Sequence, residues 1–193
     1  SKKGRKAFYQ GEIAEKILID FKKNKGIFVK EDFLNYEIRK LKPLCGSYKI
    51  YQICSMPPPS SGGIAIIQML NILENFKIEQ YSHNSSEYIH LLKNIMGFAY
   101  ADRSVFLGDP EFFEVPVQKL ISKEYALKIS EKIKNDEAIE IKPGLLINEK
   151  DETTHFSIVD KWGNSVSNTY TLNGAYGSGV VAKGTGILMN NEM

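Results

Sequence analysis

The chain is poor in the residues that signal metal, redox or cross-linking chemistry: among 193 residues there are two cysteines, three histidines and one tryptophan. The spacing of Cys45 and Cys54 matches no metal-ligand pattern, and His83, His90 and His155 are scattered away from them. The short-range Cys/His signature of a zinc site is therefore missing, and neither metal nor cofactor is expected. A Cys45–Cys54 disulfide requires an exported chain; two ordinary thiols are the favoured reading. No apolar run approaches the ~18–20 residues that span a bilayer. The first residues do not read as a secretory leader. Both ends read as cut, since the start runs straight into a helical pattern and Leu188–Met193 stop inside a motif. Charge of one sign is not in excess: 25 Lys and Arg stand against 23 Asp and Glu, a formal net charge of +2. That balance gives no electrostatic case for a nucleic-acid partner. The cluster Lys2, Lys3, Arg5, Lys6 is read as a solvated end.

Apolar residues at 42% and charged residues at 25% are ordinary for one globular domain of this length. Ile13, Ile17, Leu18 and Phe21 recur at helical spacing and predict a helix over 8–23, stopped near Asn24-Lys25-Gly26. A short helix is expected over 31–37, and the alternating, β-rich stretch 48–54 predicts one strand. Longer helices follow over 64–76, 86–107 and 122–134, the second stopping at Gly108-Asp109-Pro110. Residues 135–152 are polar and irregular and read as an exposed connector. Strands are then expected over 154–160 and 165–172, turning at Lys161-Trp162-Gly163-Asn164, with a glycine-rich stretch leading to a last strand over 186–190. Helices first and strands later make this an α+β layered domain.

Most of the suggestive motifs have a plain structural reading. Pro57–Gly63 lacks the Gly-Lys-Ser/Thr ending of a nucleotide loop, so Ser60 or Ser61 is expected to cap the next helix. Asp102 and Arg103 read as a structural ion-pairing element. Side chains alternate along a strand, so His155 shares a face with Thr153 and Ser157 and not with Thr154. With no acidic partner evident, packing or a structural hydrogen bond suits His155 better than a general-base role. Thr153 is the candidate nucleophile, one that becomes catalytic once the chain is cut just before it. The cut frees an α-amine of pKa near ~8, substantially neutral at physiological pH, beside a hydroxyl that needs a base.

The motifs taken together are more specific. Met56–Ile64 with Leu70–Phe76, Tyr100–Ser104 with Leu107–Pro110, Thr153-Thr154-His155, Thr169–Asn173 and Gly186–Met193 closely resemble γ-glutamyltranspeptidases, in the same order and over nearly the whole chain. The resemblance implies a partial Ntn-hydrolase αββα sandwich. It implies a precursor cut at Glu152–Thr153, with residues 1–152 forming the rear of the large subunit and 153–193 the front of the small one. It implies Thr153 as nucleophile, Thr171 as the threonine that hydrogen-bonds and orients it, and Asn173 and Glu192 as ligands of the α-amino group of a γ-glutamyl donor. The implied substrates are glutathione or other γ-glutamyl amides, with water or an amino-acid or peptide amine as acceptor. The implied partners are the remaining segments of both subunits, and the implied compartment is the periplasm or cell exterior. The family's carboxylate-gripping arginine falls before residue 1, and its oxyanion-hole glycines fall after Met193. Residues 1–193 alone are therefore expected to be catalytically incomplete. A related amidase such as a cephalosporin acylase is the alternative within the class, and a non-catalytic binding relative is the alternative outside it.

Overall fold

The computed structural model describes residues 4–134, 139, 141 and 154–191. Most of the connector expected over 135–152 lies outside them, as do Glu152, Thr153 and Glu192. The chain forms two compact units, Lys40–Ile147 and the pair Ser1–Arg39 with Asn148–Met193.

The Lys40–Ile147 unit opens with a hairpin of β1 (Leu44–Tyr48) and β2 (Tyr51–Ser55), where a single strand over 48–54 was expected. The alternating pattern looks the same on either side of a tight reversal, and Lys49-Ile50 is not the Asn-Gly type of turn that would have flagged one. The turn is held from outside: Lys49, at φ 51°, donates its N–H to Glu74 Oε1 at 2.6 Å and its ammonium to Glu79 at 2.9 Å. Cys45 and Cys54 are cross-strand partners on the outward face and form a disulfide. This corrects the reading of two free thiols; the register that joins them was hidden with the turn. On the inward face Gly46 lies so close to Ile67 that a Cβ would sit 2.5 Å from Ile67 Cγ2.

Ile67 belongs to α1 (Gly62–Leu73), which buries Ile64, Ile67 and Ile72 together with Gln68 and Asn71. Neither serine caps this helix as expected. Ser61 stands at the cap position, but its hydroxyl accepts from Arg103 Nε at 2.8 Å. Ser60 Oγ only reaches Gly62 N–H at 3.4 Å. The helix begins at Gly62, two residues before the expected start, and Gly63 lies against Met56, whose carbonyl oxygen would meet a Cβ at 2.0 Å. Next come α2 (Ser86–Phe106), α3 (Val117–Leu120) and α4 (Lys123–Ser130), so the helix expected over 122–134 is shorter and preceded by a separate turn of helix. Ser85 and Ser122 cap α2 and α4 by accepting the N–H of Tyr88 and Tyr125. Ile72, Leu91, Ile95, Ala126, Ile129 and Ile133 pack as the core between them. Asp102 and Arg103 both make structural hydrogen bonds. Asp102 accepts from Gln68 Nε2 at 2.5 Å and from the Tyr125 hydroxyl at 2.9 Å. Burial, with the Asp102 carboxylate as acceptor, pushes the Tyr125 phenol above its ordinary range.

In the other unit the helix expected over 8–23 is interrupted: α5 (Gly4–Tyr9) stops, and α6 (Glu12–Lys23) restarts after Gly11, which is extended at φ −121°. A short α7 (Lys30–Leu34) follows, its Asp32 carboxylate accepting the Val29 N–H at 2.8 Å. After the undescribed stretch, β3 (Thr154–Val159) and β4 (Ser165–Tyr170) pair antiparallel in the expected hairpin. Its turn is built by Asp160, whose carboxylate accepts the Trp162 N–H, the Asn164 N–H and the Asn164 side-chain amide. The Asn164 amide and these backbone N–H groups hold the Asp160 carboxyl below its usual range. Two-residue strands β5 (Val181–Ala182) and β6 (Ile187–Leu188) close the described chain. The strand expected over 186–190 shortens to β6, and β5 is its unforeseen partner. Among the described residues, mixed helices and three two-stranded sheets fit the α+β expectation. Among the described residues no helix is long and apolar enough to cross a membrane.

Candidate active site

Of the expected catalytic and donor-binding residues, Thr171 and Asn173 are described, and both lie just after the end of β4. Thr171 follows that strand, and its Oγ1 accepts the Asn173 N–H at 2.8 Å, closing a tight hydroxyl turn. Asn173 sits at φ 72°, the left-handed region that asparagine tolerates better than most residues. Asn173 therefore does perform turn chemistry, and doing so fixes its backbone. The two residues that flank it are tied to one neighbour: Gly174 donates its N–H to Asn191 Oδ1 at 3.2 Å, and Asn191 donates its own N–H to the Leu172 carbonyl at 3.4 Å. A second fastening lies a few residues on. The Met189 carbonyl accepts from the Ser178 N–H at 3.0 Å and the Ser178 hydroxyl at 3.1 Å. Gly177 lies against that carbonyl, where a Cβ would come within 2.2 Å.

The motifs 169–173 and 186–191, separated by the glycine-rich stretch, are thereby brought side by side. Asn191 went unassigned in the sequence reading, although the Asn190-Asn191 doublet immediately before Glu192 was there to see. What was missing was any way to know that its side chain reaches Gly174.

The β3–β4 hairpin has two chemically different faces. On one, His155 Nδ1 lies 2.7 Å from Thr169 Oγ1, and its Nε2 lies 3.0 Å from Ser167 Oγ and 3.4 Å from Ser157 Oγ. This is the structural hydrogen bonding expected of His155, spread over three hydroxyls. The other face carries Phe156, Ile158, Val166 and Tyr170, all exposed, with the Phe156 and Tyr170 rings edge to face at 6.4 Å. A cavity of about 1300 Å³ lies in the same unit, bounded by Asp20, Phe28, Val180, Met189, Asn190 and Asn191 among others. Thr171 and Asn173 are not among its lining residues. Among the described residues no cluster of His, Cys, Asp and Glu is placed to hold a metal ion.

Similarity to known proteins gives the class to which this hairpin and turn belong. The family described as Gamma-glutamyltranspeptidase matches residues 1–193. The glutathione hydrolase proenzyme of Escherichia coli (strain K12) is 48% identical over 190 residues, covering 96% of this chain and 33% of that protein. The crystal structure of Helicobacter pylori gamma-glutamyltranspeptidase is 47% identical and superposes with a TM-score of 0.69, over 77% of this chain and 44% of that one. Cephalosporin acylase from Bacillus halodurans superposes with a TM-score of 0.82 at 30% identity, over 96% of this chain and 33% of that one. The chain belongs to the gamma-glutamyltranspeptidase family. It spans about a third of the length of the curated relatives it matches.

Proposed function

We propose that this chain is part of an autoprocessing γ-glutamyl transferase and hydrolase that acts on glutathione and other γ-glutamyl amides. The observation that carries the reading is the meeting of the Thr171–Asn173 turn with Asn191, next to Glu192 in sequence, in a chain so similar to glutathione hydrolase proenzymes. In the precursor, the Thr153 hydroxyl attacks the Glu152 carbonyl; the peptide bond gives way to an ester, which water opens. The new α-amine of Thr153 then takes the proton from the same hydroxyl, directly or through one water. The Thr153 oxygen adds to the γ-glutamyl carbonyl, the amine of the donor departs with a proton, and an acyl-enzyme remains. Water yields glutamate; an amino-acid or peptide amine yields a new γ-glutamyl amide. The β-branch of Thr153 limits χ1 and so limits the directions in which the hydroxyl points.

Thr171 orients that nucleophile, while Asn173 and Glu192 receive the donor's α-ammonium, Glu192 by a charge-assisted hydrogen bond. In the matured enzyme residues 1–152 fall in the large subunit and 153–193 in the small one, and the hairpin takes its place within a four-layer αββα sandwich. Its exposed apolar face supports that placement, because a sheet with such a face buries it against a second layer. The relatives being glutathione hydrolases of bacteria, and the Cys45–Cys54 disulfide being stable in oxidising surroundings, support an exported enzyme.

Cephalosporin acylase is the second reading, favoured by the more extensive superposition with the Bacillus halodurans structure, which covers 96% of the chain. The Asn173–Glu192 pair argues for the amine-bearing donor instead. Intact-mass measurement of the full-length protein tests the mechanism: wild type should appear as two chains divided at Glu152–Thr153, and Thr153→Ala as one. Normal cleavage in Thr153→Ala would remove Thr153 from both roles.

A further inference from the structure

We propose that Asn191 is a positioning residue for the donor site, a clamp that holds the Asn173 turn in the form able to meet the substrate's ammonium group. The proposal rests on the reading of Asn173 and Glu192 as the α-ammonium ligands. Both neighbours of Asn173 are fastened to Asn191, Gly174 through the side-chain oxygen and Leu172 through the backbone. Asn173 is held at a positive φ, a region that residues with a Cβ enter at a cost. A turn of that kind persists only when its surroundings determine it, and Asn191 supplies two of the constraints. The third is Thr171 Oγ1 on the Asn173 N–H.

The second fastening, between Met189 and Ser178, does not take over this task. It lies beyond the Gly174–Gly177 turn, which closes on itself through the Gly177 N–H and the Gly174 carbonyl at 2.8 Å. Met189 thus sets the register of the two segments, and the Asn191 side chain sets the Asn173 end. Only the bond to Gly174 depends on a side chain, so substitution can remove it without touching the backbone pairing.

The clamp acts on ground-state recognition of a group distant from the reacting carbonyl, so its loss should appear in KM more than in kcat. In the full-length enzyme Asn191→Leu should raise KM for a γ-glutamyl anilide about tenfold, the value of one lost hydrogen bond. It should leave kcat and the kinetics of the corresponding des-amino donor little changed. Hydrogen exchange in the peptide covering 170–178 should quicken in Asn191→Leu. Asn191→Asp retains an acceptor oxygen for the Gly174 N–H and should restore both protection and KM, whereas Asn191→Leu fills a similar branched shape with no acceptor, so its penalty reports the lost hydrogen bond.

Unchanged exchange in Asn191→Leu, or an equal penalty on both donors, overturns the clamp. Glu192→Gln measured beside it separates the two claims. If Glu192→Gln discriminates between the donors and Asn191→Leu does not, the clamp fails and the donor site stands. If Glu192→Gln penalises both donors equally, the donor-site reading fails, and the clamp as a donor-positioning device fails with it.

Discussion

Thr171 illustrates how much a single side chain carries here. Its hydroxyl oxygen accepts the Asn173 N–H, and the proposed function gives the same hydroxyl the task of orienting the nucleophile. Thr171→Val keeps the β-branched shape and removes both functions. In full-length enzyme kcat should fall about tenfold or more, with a smaller rise in donor KM from the loosened turn. Thr171→Ser should recover both. A valine variant with unchanged kcat would reduce Thr171 to a residue of the turn. Gly63 is a purely steric case at the same scale: Gly63→Ala drives a Cβ into the Met56 carbonyl. The segment before α1 must shift, at a cost of about 1–3 kcal/mol, visible as a lowered Tm. Both residues stood inside motifs recognisable in the sequence. Their physical tasks were not legible, because a hydroxyl turn and a backbone contact are made by folding and leave no spacing pattern.

Elements with their own periodicity were the most legible, and those set by distant contacts the least. The β3–β4 hairpin announced itself through alternation and the turn at Lys161-Trp162-Gly163-Asn164, where the structure adds an Asp160 carboxylate that collects three donors. The β1–β2 hairpin did not, because its turn at Lys49-Ile50 is maintained by Glu74 and Glu79 from other elements. Glu74 is also paired with Lys123, whose ammonium reaches the Ser47 carbonyl at 2.8 Å, so three elements meet at the hairpin tip. Lys123, followed by the Lys49 N–H, holds the Glu74 carboxyl below its ordinary range. A depressed carboxyl contributes stability that is present above its unfolded pKa and is lost as pH falls through its folded value. Lys123→Met should therefore lower Tm near neutrality and converge with wild type once the pH has fallen through the lowered range of the Glu74 carboxyl. Glu74 is partly solvated, its side chain 30% exposed, so the difference should stay within about 1 kcal/mol. A gap that persists at low pH would assign Lys123's effect to packing. The disulfide ties the same hairpin at its open end. Replacing both cysteines by serine should cost no more than about 3 kcal/mol, since the loop is short, and far-ultraviolet circular dichroism should be unchanged with the tip contacts intact.

For the whole molecule, the telling feature is a hairpin with a polar face made of His155, Ser157, Ser167 and Thr169 and an apolar face open to solvent. Phe156 is 41% exposed, Ile158 56%, Val166 55% and Tyr170 57%. Contiguous apolar side chains of this size mark a surface that another layer covers. The relatives that the chain matches are about three times as long, and the proposed sandwich would supply that layer from their additional length. The oxyanion donors implied by the family resemblance lie outside residues 1–193 as well, and removing one such donor typically costs ~10²–10³ in rate. Residues 1–193 expressed alone should therefore fail to hydrolyse a γ-glutamyl anilide. They should also bind an environment-sensitive apolar dye that the full-length enzyme ignores. Phe156→Ser with Ile158→Ser should reduce dye binding by residues 1–193 while destabilising the full-length protein, because the same face is solvent-exposed in one and buried in the other. Turnover by residues 1–193 near that of the full-length enzyme would show that the groups needed for chemistry are already contained between Ser1 and Met193. The face of Phe156 and Ile158 would then have to be explained by something other than a missing layer.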